Sequence, residues 1–424
     1  MKTKVNASAL YIVIVISLVI GIVCAALVAS AFFYKLRLQQ KDRFDKLDDN
    51  LESAINVVLA SPDTVFESGR IINLFNNGDD SVYVEKKAWG IYTVAIVKAF
   101  SQKDTLFRVF SIGNAIDSTK WACLYLADDD RPFLVSGKTL VEGDVFIPKS
   151  HVEAAVVNGI GYEGDKRLII GSRHNSAKIL PPLSLAELNV ISGLFKSVLA
   201  KSEKLPQVDS LVVSFRQPVR VFNFNDQVKL LSGDYFAGNV ILYSDTTITL
   251  DSTASLKDIL VVAPTIIVKS GFRGTCQLFA RDSISVGNNS NFDYPSCLGV
   301  FRMDSVKNRP AEKISFGKNS RLDGTIITYE KASDAKEPMV VFGNNDKIKG
   351  QIYSQGITQL CDGLEIEGSL FTRLLLFRTG ATMLLDCAVN TNINSKSLSP
   401  YYLTGKMLPT AGASQKILQW LEQN

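Results

Sequence analysis

At 424 residues, with 46% hydrophobic and 21% charged side chains, the chain is too apolar to be disordered and long enough for two or three domains. Two histidines, His151 and His174, exclude a three-histidine zinc site; six dispersed cysteines (24, 123, 276, 297, 361 and 387) without a C-x-x-C argue against a structural zinc or a disulfide-stapled module. The net charge of +4 is concentrated: residues 1–46 carry seven Lys/Arg against Asp42 and Asp45, so the rest sums to −1, which excludes the basic field of a nucleic-acid binder.

After a short basic tail (residues 1–8, with Lys2 and Lys4) there is no charged residue from Val5 to Tyr34. Residues 9–34 exceed the ~20 needed to cross a bilayer and predict a transmembrane helix with the lipid bilayer as partner. Phe32, Phe33 and Tyr34, followed by Lys35 and Arg37, form an aromatic belt and then cations at headgroup level. Ala29-Ser30-Ala31 resembles a signal cleavage site, but signal-peptide apolar regions run only ~7–15 residues, so the expectation is an uncleaved anchor. Within the helix Ser17, Gly21, Ala25 and Ala29 recur every four residues, a small-residue face suited to packing a second helix in a homo- or hetero-oligomer.

Residues 35–61 continue as an amphipathic juxtamembrane helix: Phe44, Leu47, Leu51, Ile55 and Val58 step by three and four among Asp45, Asp48, Asp49 and Glu52, until Ser61-Pro62 stops it. One rod from about Ala7 to about Ala60 would be about 80 Å long. This layout, a basic leader and an apolar helix emerging as an amphipathic one, resembles the N-terminal rod of type IV pilins and pseudopilins, above all the minor ones. The resemblance implies a membrane-anchored subunit with a β-rich head in a pilus or secretion apparatus. The family's leader glycine and early glutamate have no counterpart here, since no Glu precedes Glu52.

Residues 62–204 read as a β-rich domain. Val82-Tyr83-Val84, Trp89 to Phe100, Leu106 to Phe110 after the turn Ser101-Gln102-Lys103-Asp104, and Trp121 to Leu126 alternate as strands. Asp128-Asp129-Asp130 lacks the alternate-residue spacing of a calcium loop and reads as a solvated turn. Pro181-Pro182-Leu183 leads into a capping box, Ser184 to Glu187, and a helix near 184–199 with Leu188, Ile191, Leu194, Phe195 and Val198 at helical intervals.

Residues 205–385 hold an internal repeat. Leu242/Leu260/Leu278, Ile248/Ile266/Ile284 and Leu250/Val268/Val286 recur every 18 residues. Ile314/Val340, Phe316/Phe342, Gly317/Gly343, Leu322/Ile348, Gly324/Gly350 and Ile326/Ile352 are 26 apart, as if that coil carried an insertion; Ile348/Ile366, Gly350/Gly368 and Ile352/Leu370 return to 18. Such a period suits a parallel β-helix, a β-solenoid, with apolar columns stacked inside, Gly287, Gly317 and Gly343 at corners needing positive φ, and turn asparagines stacked in ladders. The fold class is therefore mainly β, an N-terminal helix followed by a β-rich region and a β-solenoid; a β-sandwich head is the alternative. Leu140 to Val145 and Val156 to Gly159 suggest further rungs of irregular spacing, and residues 386–424 form a tail ending in a capping helix, Ser414 to Gln423. Asp258 to Val268 and the glycine-ended rungs resemble the bactofilins, which implies a scaffold that polymerises beside the membrane.

No acid column stacks at the 18-residue period, Arg273, Arg281 and Arg302 are scattered, and no phosphate-binding, dinucleotide or zinc-protease motif occurs. The expectation is a protein that is not an enzyme and has no catalytic residue, metal or cofactor; a polysaccharide-active β-helix enzyme is the remaining alternative. Cys276 and Cys297 are one rung apart and form a disulfide pair if they face each other in an oxidising compartment. Orientation is read two ways. Five cations between residues 35 and 46, against Lys2 and Lys4, put the body in the cytoplasm by the positive-inside rule, as does the odd count of cysteines outside the membrane segment. The pilin-like layout implies an inner-membrane protein, single-pass, with its body outside the cytoplasm and envelope proteins as partners.

Overall fold

The computed structural model describes residues 7–75, 80–101, 104–197, 202–203, 209–224, 228–304, 311–331, 337–380 and 383–423. Lys2, Lys4, Gln102, Lys103 and Val198 lie outside them. The chain divides into two compact units, residues 1–85 with 97–108 and 424, and residues 86–96 with 109–423.

The first unit is dominated by α1 (Ala7–Ala60), 54 residues without a break and so about 80 Å long. Leu47, Leu51, Ala54, Ile55 and Val58 are buried. Each such side chain contributes roughly 1.5–3 kcal/mol to packing on burial, Ala54 less. Phe44, expected in this stripe, is 54% exposed, and Asn50 is buried at its other edge. Packing therefore begins one turn later than the apolar spacing alone suggests. Above that turn Arg43 Nε pairs with Asp104 at 3.1 Å and Arg108 with Asp48 at 3.5 Å. Ser61 ends the helix by donating to Val57 O at 2.6 Å, and Pro62, at φ −57° and ψ 150°, leaves the helical region. The strand Arg70–Ile72 then pairs antiparallel with Asp80–Trp89, Ile71 opposite Tyr83.

The second unit is a β-solenoid. From Val240–Tyr243 to Glu365–Arg378 every rung pairs parallel with the next, and the interior is one continuous apolar column. Parallel rungs around one core exclude a β-sandwich. The columns Ile248/Ile266/Ile284 and Leu250/Val268/Val286 stack as the period predicts. The third does not: Leu242 lies against Val261, and Val261 against Leu278, while Leu260 faces Gln277. The reason is a bulge at Asp258, in left-handed backbone at φ 58°, which moves the register by one. The 26-residue offset is an insertion between the strands Arg321–Glu330 and Met339–Val341, and a longer one between Asn291–Arg302 and Lys313–Phe316 sets Ile284 against Ile314.

Gly287, Gly317 and Gly343 are not at positive φ. They are needed for space: a Cβ on Gly343 would lie 2.4 Å from Gly317 O, and one on Gly317 2.4 Å from Asn288 Oδ1. The left-handed corner residues are Asn289, Asn319 and Asn345, and Asn345 Nδ2 donates to Asn319 Oδ1 at 3.4 Å, one step of an asparagine ladder.

The expected boundary at 204/205 is not where the solenoid's rungs divide. After Asn392–Asn394 the stack continues into residues far earlier in the chain: Leu370 to Thr372 pair with Leu124 to Leu126, Cys387 to Val389 with Leu134 to Ser136, and Asn392 to Asn394 with Leu140 to Glu142. Val145–Ile147, Val152–Ala154 and Arg173–Asn175 complete the far end. From there residues 176–184 run back along the wall, where Tyr125 Oη accepts Ala177 N–H at 3.1 Å and Tyr353 O–H donates to Pro181 O at 3.0 Å. They lead into α2 (Leu185–Ser197) and the solenoid's first described strand, Ser202–Glu203. The tail corrects a second expectation: residues 411–423 form a strand, Ala411–Gln423, beside Asp104–Ile116, not a capping helix. Ile417 and Leu421 are too short a helical signal to outweigh an open strand edge.

Candidate functional site

The apolar half of α1 is long and apolar enough to cross a membrane, and none of that stretch is buried in the protein. Leu10 to Val28, Phe32, Phe33 and Tyr34 present their large side chains outward, and Lys35 follows at once. Ser17, Gly21, Ala25 and Ala29 lie exposed in this segment. Ser17 Oγ spends its proton inside the helix, on Ile14 O at 2.9 Å, and a Cβ on Gly21 would meet nothing within 4 Å. Within the single chain the small-residue face is thus uncovered.

The two cysteines proposed as a pair are both free and buried. Cys276 belongs to the interior column, packed opposite Ile259, whereas Cys297 lies opposite Gln277, whose side chain points out of the wall toward Trp89 and Ile91. The two sulfurs leave opposite faces of the wall, so no disulfide joins them. Burial pushes both thiols far above their usual range, which leaves them unreactive.

His174 is exposed and stacks on Phe146 at 4.9 Å, and exposed His151 sits in left-handed backbone at φ 77°. Asp129 pairs with Arg131 at 2.9 Å and Arg373 at 3.0 Å, and Asp130 with Lys178 at 3.2 Å, while the buried Asp128 accepts Asp130 N–H at 3.1 Å. No group of three His, Cys, Asp or Glu among the described residues is arranged to hold a metal ion.

Two of the recesses among the described residues of the solenoid are the larger candidates for binding. One, of about 380 Å³, is lined by Lys178, Leu180, Tyr329, Tyr353, Gln355 and Arg373. Its polar walls are already engaged: Arg373 binds Glu337 and Asp129, and Gln355 closes both backbone groups of Glu330. The other, of about 490 Å³, is apolar, with Trp89, Leu194, Phe215, Val219, Val221 and Leu260 around it.

Sequence reasoning missed one charged site. Asp282, Arg302, Glu312 and Glu330 meet at a corner of the coil, with Arg302 Nε against Glu312 Oε1 and Arg302 Nη2 3.6 Å from Asp282 Oδ1. The acids looked scattered because an 18-residue period does not bring them together; the 30-residue step from Ile284 to Ile314 does.

No protein-family model and no curated protein matches the chain. Among solved structures, the competence-associated pilin ComZ from Thermus thermophilus is similar at 10% identity over 84% of this chain and 86% of that one, with a TM-score of 0.20. A TM-score that low does not make the two folds the same. The class stands on this chain's own geometry: a β-solenoid protein carrying an N-terminal helix of membrane-spanning length.

Proposed function

We propose that the protein is a membrane-anchored structural subunit of a bacterial cell-envelope assembly, in the manner of a minor pilin, with its solenoid outside the cytoplasm. It acts by binding, not by catalysis. The observation that carries this reading is α1 itself: one unbroken helix has a first half with every large apolar side chain exposed and a second half with Leu47, Leu51, Ile55 and Val58 buried. Such a helix is satisfied only when lipid or other helices cover its first half. The solenoid then offers a stiff wall for partners, and the small-residue face offers a site for a second copy or another envelope subunit.

The flank charges favour a second reading, a membrane-tethered cytoplasmic scaffold of bactofilin type, because five cations lie on the solenoid side of the membrane segment. Labelling separates the two. Tyr401 is 82% exposed, so Tyr401→Cys in a Cys361→Ser background presents an accessible thiol on the body. Reaction with a membrane-impermeant maleimide on intact spheroplasts supports the extracytoplasmic subunit. Reaction only after lysis overturns it in favour of the scaffold.

A further inference from the structure

After Asn392–Asn394 the chain runs back along the outside of the solenoid wall. Ser395 N–H donates to Glu142 O at 2.9 Å at one end of this return, and Tyr402 O–H donates to Gly324 O at 3.2 Å at the other. Residues 395–402 thus form a ledge that crosses several rungs. Beside it lies an open groove, about 240 Å³ of it next to Tyr294 and Tyr401 and about 260 Å³ next to Arg321 and Glu367, the two parts meeting at Asp323 and Lys349. The groove floor is in register: Arg321, Lys347 and Glu365 take one position on three successive rungs, and Asp323, Lys349 and Glu367 the position two residues on, so all six side chains leave the same face of the sheet. Arg321 holds Asp323 and Lys347 holds Glu365, each at 2.7 Å, while Lys349 has no ion pair among the described residues. At the ledge, Tyr294 and Tyr402 pack at 5.3 Å with their hydroxyls donated to Leu403 O and Gly324 O, and Tyr401 stands 82% exposed.

These features select a ligand. Three cations and three anions cancel along the floor, so a polyanion gains no net attraction. Donors and acceptors alternate there, which suits hydroxyl groups, each of them donor and acceptor at once. The exposed Tyr401 ring offers a flat apolar surface that the apolar face of a sugar ring can cover. Rungs repeat every ~4.8 Å, close to the step of one sugar in an extended chain. We propose that the groove binds an extended, uncharged polysaccharide strand lying along the solenoid axis, one sugar ring on Tyr401 and the hydroxyls of its neighbours on the row of Lys349 and Glu367. Meeting such a strand in the cell envelope rests on the extracytoplasmic reading proposed above; the chemistry of the groove does not.

The test is isothermal titration of the full chain, in a zwitterionic detergent without a sugar headgroup, with cellohexaose and with chitohexaose. The wild type should bind at least one of them, and Tyr401→Ala should weaken that binding by roughly tenfold or more. Tyr401→Phe should retain it, because the ring and not the hydroxyl makes the contact, and the unfolding midpoint should stay fixed in both variants because Tyr401 is exposed. Absence of binding to both sugars at millimolar concentration overturns the proposal, as does binding that survives Tyr401→Ala or a preference for dextran sulfate over both. Maleimide labelling decides the compartment separately, so a groove that binds sugar and a body that proves cytoplasmic are distinguishable results.

Discussion

Gln277 reaches out of the solenoid wall and closes both backbone groups at the tip of a hairpin, accepting Ile91 N–H and donating to Trp89 O, each at 2.9 Å. Between them Gly90 turns at φ 64°, and a Cβ there would lie 2.0 Å from Gln277 Oε1. Gln277→Ala should cost about 2–4 kcal/mol, because it strands two buried backbone groups. Gln277→Glu keeps the acceptor for Ile91 but loses the donor to Trp89 and buries a charge, so it should be no better. Denaturant unfolding of the detergent-solubilised protein measures both.

The stacked glycines Gly324, Gly350 and Gly368 make a sharper test of the coil. Gly350 sits at φ 138°, and a Cβ on it would lie 2.0 Å from Gly324 O. Gly350→Ala combines backbone strain with a clash against main chain, which cannot swing aside, and should cost about 3 kcal/mol or more. Gly21→Ala, with nothing near its Cβ, should leave unfolding of the solenoid unchanged.

Glu422 fastens the last strand. Its carboxylate accepts Phe215 N–H at 2.6 Å and Ser214 O–H at 2.7 Å, with Arg216 Nε at 3.3 Å. Glu422→Ala should destabilise by about 1–3 kcal/mol through the stranded Phe215 amide. Hydrogen exchange should show the added loss of protection centred on residues 411–423.

On the helix, exchanging Gly21 and Ala25 for Ile fills the small-residue face without touching the body. Chemical crosslinking of membranes should yield fewer oligomers while the unfolding midpoint stays fixed. Unchanged crosslinking would remove helix packing through this face.

The thiols give a direct chemical check. With Cys276 inside the wall and Cys297 outside it, intact mass under non-reducing conditions should correspond to free sulfhydryls, and alkylation after denaturation should modify both. A tryptic fragment joining them would contradict the register of Cys297 against Gln277.

Much of this architecture is legible in the residues. The rod follows from an uncharged run and then a three-and-four spacing, and the coil from columns such as Ile248/Ile266/Ile284, where identical spacing and identical chemistry coincide. Where a bulge intervenes the arithmetic misleads: Leu242, Leu260 and Leu278 share a spacing but not a column, because Asp258 is an extra residue that no periodicity marks. The far rungs were legible only as hints, since Leu124 pairs with Leu370 across most of the chain and their own spacing is irregular. The last strand departs from its helical spacing for a related reason, its conformation being decided by the edge it meets and not by its own pattern. The charged corner needed the insertion between Arg302 and Lys313 to be placed before Asp282 and Glu312 were neighbours.

That loop-back of the wall bears on how the protein is made. The rungs at residues 124–142 emerge from the ribosome early, yet the strands that flank them, 370–372 and 387–394, are translated about 250 residues later. Until then the early rungs expose an unpaired edge and an open apolar interior. By that time α1 has long since left the exit tunnel. An anchor of the kind proposed above can therefore be seated in the bilayer while the solenoid wall is still incomplete, and the late segment acts as the keystone that seals it.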